Sequence, residues 1–138
     1  MTPVIVDSSV LLDVVTDDPE WSDRSRAAVA SLSAHRQLVI NTVIFAEVSI
    51  SFDRIEDVEE HLASDVFRRE EMPYEAAFLA GKVYLAYRRR GGARRSPLPD
   101  FFIGAHAAVR GYGLLTRDRA GIRSYFPTVE IIAPETHP

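Results

Sequence analysis

Apolar residues occur along this chain in short unbroken runs separated by longer stretches of mixed polarity. "PVIVD", "QLVIN", "GLLT" and "VEIIAP" are runs of strand length, continuous rather than alternating. Between them lie stretches with helical spacing and helix punctuation. "SSVLLDVV" follows the first run directly. Asp18 and Pro19 form an N-cap and first-turn pair for "PEWSDRSRAAVASLSAH". Thr42 is placed to cap "VIFAEVSISF", and "IEDVEEHLAS" reads as a polar amphipathic helix. Pro73 opens "YEAAFLAGKVYLAYRRR", where Ala77, Ala80, Tyr84 and Tyr87 recur near helical spacing until Gly91 and Gly92 end it. Pro97 and Pro99 favour a fresh start, leaving Asp100 in the first turn of "FFIGAHAAVRGY". "RDRAGIRSYF" is a turn and a short helix. Strands that alternate with helices and carry no polar face predict an α/β domain over residues 1–138, with a parallel sheet covered on both faces.

Composition narrows the function more than the fold. The 138 residues contain 46% hydrophobic and 26% charged residues, ordinary for a globular chain. Cysteine is absent, which excludes disulfides, thiolate metal sites and a cysteine nucleophile. The N-terminal segment lacks a basic leader, and Asp7 and Asp13 interrupt its apolar residues, so neither a signal peptide nor a membrane span is expected. A cytoplasmic location is the expectation. A net charge of −4 argues against a generally basic nucleic-acid binder, but distribution matters more than the sum. Lys82 is the only lysine, and Arg88, Arg89, Arg90, Arg94 and Arg95 crowd into one short segment just before Asp100. That segment is either a solvated basic loop or a phosphate-binding one.

Ligands of open parallel sheets bind beyond the carboxyl ends of the strands. Asp7, followed by Ser8 and Ser9, ends the first run; Thr116, Arg117 and Asp118 follow "GLL". Glu47 lies on the helix after the second run, and Asp100 opens the helix that leads into "GLLT". Four carboxylates that converge at one sheet edge would repel one another unless a hard cation such as Mg²⁺ or Mn²⁺ neutralised them. Each acid also has a plainer role open to it. Asp7 can cap a helix, Asp100 can complement a helix dipole, Glu47 can face solvent, and Asp118 can serve a turn.

Taken together, "VIVDSSVLL", "NTVIFAEV" and "LPDFFIGAHAAVRGYGLLTRDRAGIRSYFP" resemble a PIN domain, specifically a VapC-type toxin of a bacterial toxin–antitoxin pair. The resemblance covers nearly the whole chain and implies a Rossmann-like three-layer α/β/α sandwich with a central parallel sheet. It also implies a metal-dependent endoribonuclease whose acidic quartet is Asp7, Glu47, Asp100 and Asp118. Asp7, Asp100 and Asp118 would hold Mg²⁺, or Mn²⁺ in its place. Glu47 would be a further ligand or orient water, and Ser9 and Thr116 would be polar neighbours. Ser9 departs from the asparagine often found at its position, and Ala120 and Gly121 stand where many relatives are bulkier.

The implied substrate is a structured RNA such as transfer or ribosomal RNA, cut so that translation stops. Arg88, Arg89, Arg90, Arg94, Arg95 and Arg117 would contact its phosphates. A cognate VapB-type antitoxin would lie across the groove, with Trp21, Phe45, Ile50 and Phe52 as candidate contacts or else core residues. A homodimer is implied and no membrane is involved. His106 is expected to be a packing or surface residue. The alternative is a non-catalytic PIN-fold partner-binding module, against which the complete quartet argues. A receiver-like phosphoacceptor domain would need a lysine after its last strand, and Lys82 is mid-helix.

Overall fold

The computed structural model describes residues 1–92 and 98–134. Within them five strands form one parallel sheet: β1 (Val4–Val6), β2 (Leu38–Ile40), β3 (Phe67–Arg69), β4 (Gly113–Leu115) and β5 (Ile131–Ile132), in the order β3-β2-β1-β4-β5. β1 is central, with Val4 facing Leu38 of β2 and Gly113 of β4. Val4, Ile5, Val6, Leu114 and Leu115 are wholly buried, which is why these runs are apolar throughout and do not alternate.

The helices are α1 (Ser8–Val15), α2 (Ser22–Ser33), α3 (Thr42–Ser49), α4 (Ile55–His61), α5 (Tyr74–Arg89), α6 (Leu98–Arg110) and α7 (Arg119–Tyr125). α1 packs on α2 and α3, and α3 on α4, while α6 packs on both α5 and α7. With every connection crossing in the usual right-handed sense, the strand order puts α1–α4 on one face of the sheet and α5–α7 on the other, with α3 and α6 also meeting. The resulting three-layer α/β/α architecture is the one expected.

Several local expectations need correction. β3 was not foreseen. Its sequence, "FRR", buries only Phe67 deeply, leaves Arg69 exposed and turns the half-buried Arg68 to Glu70 and Tyr112. Charged residues of this kind suit an edge strand that avoids further pairing. α2 begins at Ser22 rather than Pro19, because the Asp18 carboxylate accepts from the backbone N–H groups of Glu20 and Trp21 and closes a turn ahead of the helix. Asn41, not Thr42, caps α3: its Oδ1 accepts from Ile44 N at 3.0 Å. The face that α5 buries is Ala76, Ala80 and Val83, with Ala77, Tyr84 and Tyr87 only partly covered. Gly91, at φ +79°, turns the chain out of α5 in a conformation that side-chain-bearing residues avoid.

The chain runs outward from β1 through β2 to β3, then returns to place β4 on β1's other side. The strand order therefore reverses between β1 and β4. That reversal opens a crevice at the carboxyl ends of these two strands.

Candidate active site

Asp7 leaves β1 at this crevice, and its backbone N–H still bonds to Leu115 O of β4 at 2.9 Å. Its carboxylate is largely buried, and two hydroxyls converge on one oxygen of it. Ser9 Oγ and Thr116 Oγ1 donate to Asp7 Oδ2 at 2.8 and 2.7 Å. Both donors are themselves held. The Thr116 hydroxyl accepts from Asp118 N at 3.1 Å, and Ser9 Oγ accepts a long contact of 3.4 Å from Arg117 N. The segment after β4 is thus tied to the segment after β1 through hydroxyls, and Asp7 Oδ1 has no donor among the described residues.

Asp118 is the N-cap of α7, its Oδ1 accepting from Gly121 N at 3.1 Å. A Cβ at Gly121 would collide with that carboxylate, so glycine here is a condition of the acid's position. Glu47 is held from α1, where Ser8 Oγ donates to Glu47 Oε1 at 2.7 Å. Ser8 was not among the expected site residues. The signal was present in its adjacency to Asp7, but its partner lies 39 residues away and only the fold reveals it.

Asp100 reports on the whole cluster. Its carboxyl is raised from 3.8 to about 6, first by desolvation and then by the negative charge of Asp7, Glu47 and Asp118. The residue as a whole is exposed, so the desolvation reflects crowding by neighbouring atoms at the wall of an open site, not enclosure. Four acids from four separate segments therefore share one electrostatic neighbourhood. Oxygen donors of this kind suit a hard divalent cation, and the repulsion they create is what such an ion relieves. As placed, no three of the described acids close around a single point, so a bound ion would draw the carboxylates together.

The arginines are less uniform than their clustering suggests. Arg88, Arg89 and Arg90 are exposed at the end of α5; Arg88 stacks on Tyr84 and Arg90 lies 5.2 Å over the Tyr125 ring. Arg94 and Arg95 lie outside the described residues. Arg117 is engaged elsewhere. Its Nε pairs with the buried Asp13 at 3.2 Å and its guanidinium stacks 4.9 Å over Trp21, which also carries Arg24. Among the candidate partner contacts Ile50 is 85% exposed, whereas Trp21, Phe45 and Phe52 are partly buried.

His106 belongs to the interior. It is fully buried, and Asn41 Nδ2 meets its Nδ1 at 3.0 Å while Glu70 Oε2 meets its Nε2 at 2.7 Å. Since Asn41 Oδ1 is already committed to Ile44 N, the amide donates through Nδ2. The imidazole is therefore neutral, with its proton on Nε2 directed at Glu70. Burial lowers its pKa, opposed by Glu70 and assisted by Arg110. Tyr112, Arg68 and Arg110 are further partners of the Glu70 carboxylate. This network joins the cap of α3, which carries Glu47, to α6, which carries Asp100.

The fold is shared with known structures at low sequence identity. VapBC2 from Rickettsia felis, bound to a DNA fragment from its promoter, matches with a TM-score of 0.70 at 13% identity, over 94% of this chain and 97% of that one. DNA-bound VapBC from Salmonella typhimurium matches at 0.69 and 18% identity, over 97% and 99% of the two chains. A toxin–antitoxin complex from Klebsiella pneumoniae matches at 0.63 and 20% identity, over 95% and 97%. No protein of curated function matches the sequence. Residues 4–125, from the first residue of β1 to the last of α7, match the PIN domain, and the chain belongs to that family.

Proposed function

We propose that this protein is a VapC-type toxin, an endoribonuclease dependent on Mg²⁺ or Mn²⁺ that is neutralised by a VapB-type antitoxin. The observation that carries the reading is the shared field of Asp7, Glu47, Asp100 and Asp118 at the β1–β4 crevice, expressed in the raised Asp100 carboxyl. Membership of the PIN family supports a nuclease, and the toxin–antitoxin complexes that share the fold support the toxin role.

In this reading Asp7, Asp100 and Asp118 hold the cation. It would supply charge neutralisation at the phosphate and a more acidic water. Ser9 and Thr116 fix Asp7 through Oδ2 and leave Oδ1 for the ion. Ser8 fixes Glu47 through Oε1, leaving Oε2 to orient the attacking water. The attack forms a new P–O bond, breaks one ester P–O bond, and delivers a proton to the leaving oxygen. His106, locked between Asn41 and Glu70, takes no part.

Arg88, Arg89 and Arg90 are open to phosphates of a structured RNA, transfer or ribosomal, and Arg94 and Arg95 extend the same basic segment. The antitoxin would cover the groove, with Ile50 an exposed apolar contact for it. A homodimer belongs to the same reading, and α5 leaves Tyr74 and Phe78 largely exposed. Among the described residues no helix is long and apolar enough to cross a membrane.

The test is cleavage of cellular RNA by purified protein with Mg²⁺ or Mn²⁺ against EDTA. Asp7→Asn and Asp100→Asn should each reduce cleavage at least about 100-fold, the scale on which misplaced site groups act. No metal-dependent cleavage by the wild type, or equal cleavage by the variants, leaves the non-catalytic partner-binding module as the better account.

A further inference from the structure

A cavity of about 180 Å³ opens directly beside two of the site acids. Asp100 and Asp118 line it together with Tyr87, Phe101 and Tyr125. The three rings come from α5, α6 and α7 and contact one another edge to face. Their centroids are 5.6 Å apart for Tyr87–Phe101, 5.0 Å for Phe101–Tyr125 and 6.3 Å for Tyr87–Tyr125. Phe101 is buried and anchors the cluster, while the two tyrosines are half-buried. Neither phenol oxygen has a hydrogen-bond partner among the described residues. Gly121 forms part of the wall, where any side chain would press on Asp118 or fill the space.

The size and lining limit what can enter. The cavity is smaller than the roughly 300 Å³ at which drug-sized sites begin, so it takes one planar ring system. Ring planes at 65° can hold such a group against the face of one tyrosine and the edge of the other. On the cavity side, the carboxylate oxygens of Asp100 and Asp118 not turned to the cation accept from amino N–H groups. A nucleobase offers both a π-face and N–H donors, whereas an aliphatic side chain would leave the acids unused. Arg88 and Arg90, stacked on Tyr84 and Tyr125, stand at the same helix end for the flanking phosphates.

We propose that this cavity is a nucleobase subsite. It takes one unpaired base of the RNA strand, so that Tyr87 and Tyr125 govern which phosphate is presented to the acids. The proposal rests on the ribonuclease reading, and its test is separable from that reading because it measures binding.

The probe is a labelled short single-stranded RNA with an abasic ribose placed at each position in turn. Binding is followed by fluorescence anisotropy with the Asp7→Asn protein in Mg²⁺, since Asp7 does not line the cavity. Base removal at one position should weaken binding about 5- to 100-fold, the range that one base–aromatic stack supplies. In the Tyr125→Leu or Tyr87→Leu background the same removal should cost little more, whereas Tyr125→Phe should keep the full effect. Base removal that matters at no position, or equally in every background, overturns the subsite, as does an RNA that fails to bind. Two leucine variants guard against one failing to fold, and circular dichroism of each checks this. Wild-type cleavage of the same RNAs is read separately. Cleavage with base-independent binding sinks the subsite alone, and base-dependent binding without metal-dependent cleavage sinks the nuclease reading alone.

Discussion

Replacing Asp100 with asparagine should stabilise the metal-free protein at neutral pH. The Asp100 carboxyl is raised from 3.8 to about 6, so the folded state resists its ionisation, first through desolvation and then through Asp7, Glu47 and Asp118. A folded pKa above the unfolded one means the native state binds more protons between these values. Stability is therefore lost as pH rises from about 4 through about 6. At about 1.4 kcal/mol per unit the shift has a ceiling of about 3 kcal/mol. Asp100 is exposed, however, and solvent screening reduces this to about 1 kcal/mol.

Asparagine carries no charge to repel, so for a chain of this length its midpoint in EDTA should exceed the wild type's by about 3 °C near pH 7.5. Below about pH 3.5 the carboxyl is mostly protonated in the folded and unfolded states alike and the two midpoints should nearly coincide, whereas near pH 5 about half of the gap should already be open. The lowered His106 pKa acts oppositely, with stability lost as pH falls below its unfolded value near 6.5. Comparing variant with wild type at each pH cancels that contribution. Added Mg²⁺ should then raise the wild-type midpoint more than the variant's. An asparagine variant less stable than wild type at every pH, or a difference independent of pH, would refute the shared field.

The other predictions concern the supports of the site. His106→Ala removes the partner of both Asn41 and Glu70 and leaves a cavity, and should cost about 3 kcal/mol in urea unfolding. Gly121→Ala forces Asp118 out of its cap and should lower RNA cleavage by about 10- to 100-fold while costing only about 1 kcal/mol of stability, read by kinetics and thermal unfolding together. Replacing Arg94 and Arg95 by alanine should flatten the log–log salt dependence of RNA binding by about 1.4, and an unchanged slope would return both residues to a solvated loop.

The strands around the site were legible because their signals are local and redundant. An apolar run bounded by Asp7, Asn41 or Thr116 names both a buried strand and the polar residue at its carboxyl end. β3 was missed because an edge strand needs no apolar face beyond Phe67, and its arginines look like loop. The α3 cap was misassigned between neighbours, since Asn41 and Thr42 both carry the needed oxygen and only backbone geometry chooses.

Chemistry followed the same division. The residue types of the acidic quartet were set by the sequence itself, and the places of Asp7, Asp100 and Asp118 were legible because strand ends and helix starts are marked within a few residues, while Glu47 lies inside α3. Tertiary structure decided how they are held. Strand order puts β4 beside β1 and so brings Thr116 to Asp7 across 109 residues. Packing sends Arg117 to the buried Asp13 and gathers Tyr87, Phe101 and Tyr125 around one cavity. No periodicity encodes such meetings, because they depend on which elements become neighbours after the chain has closed its sheet.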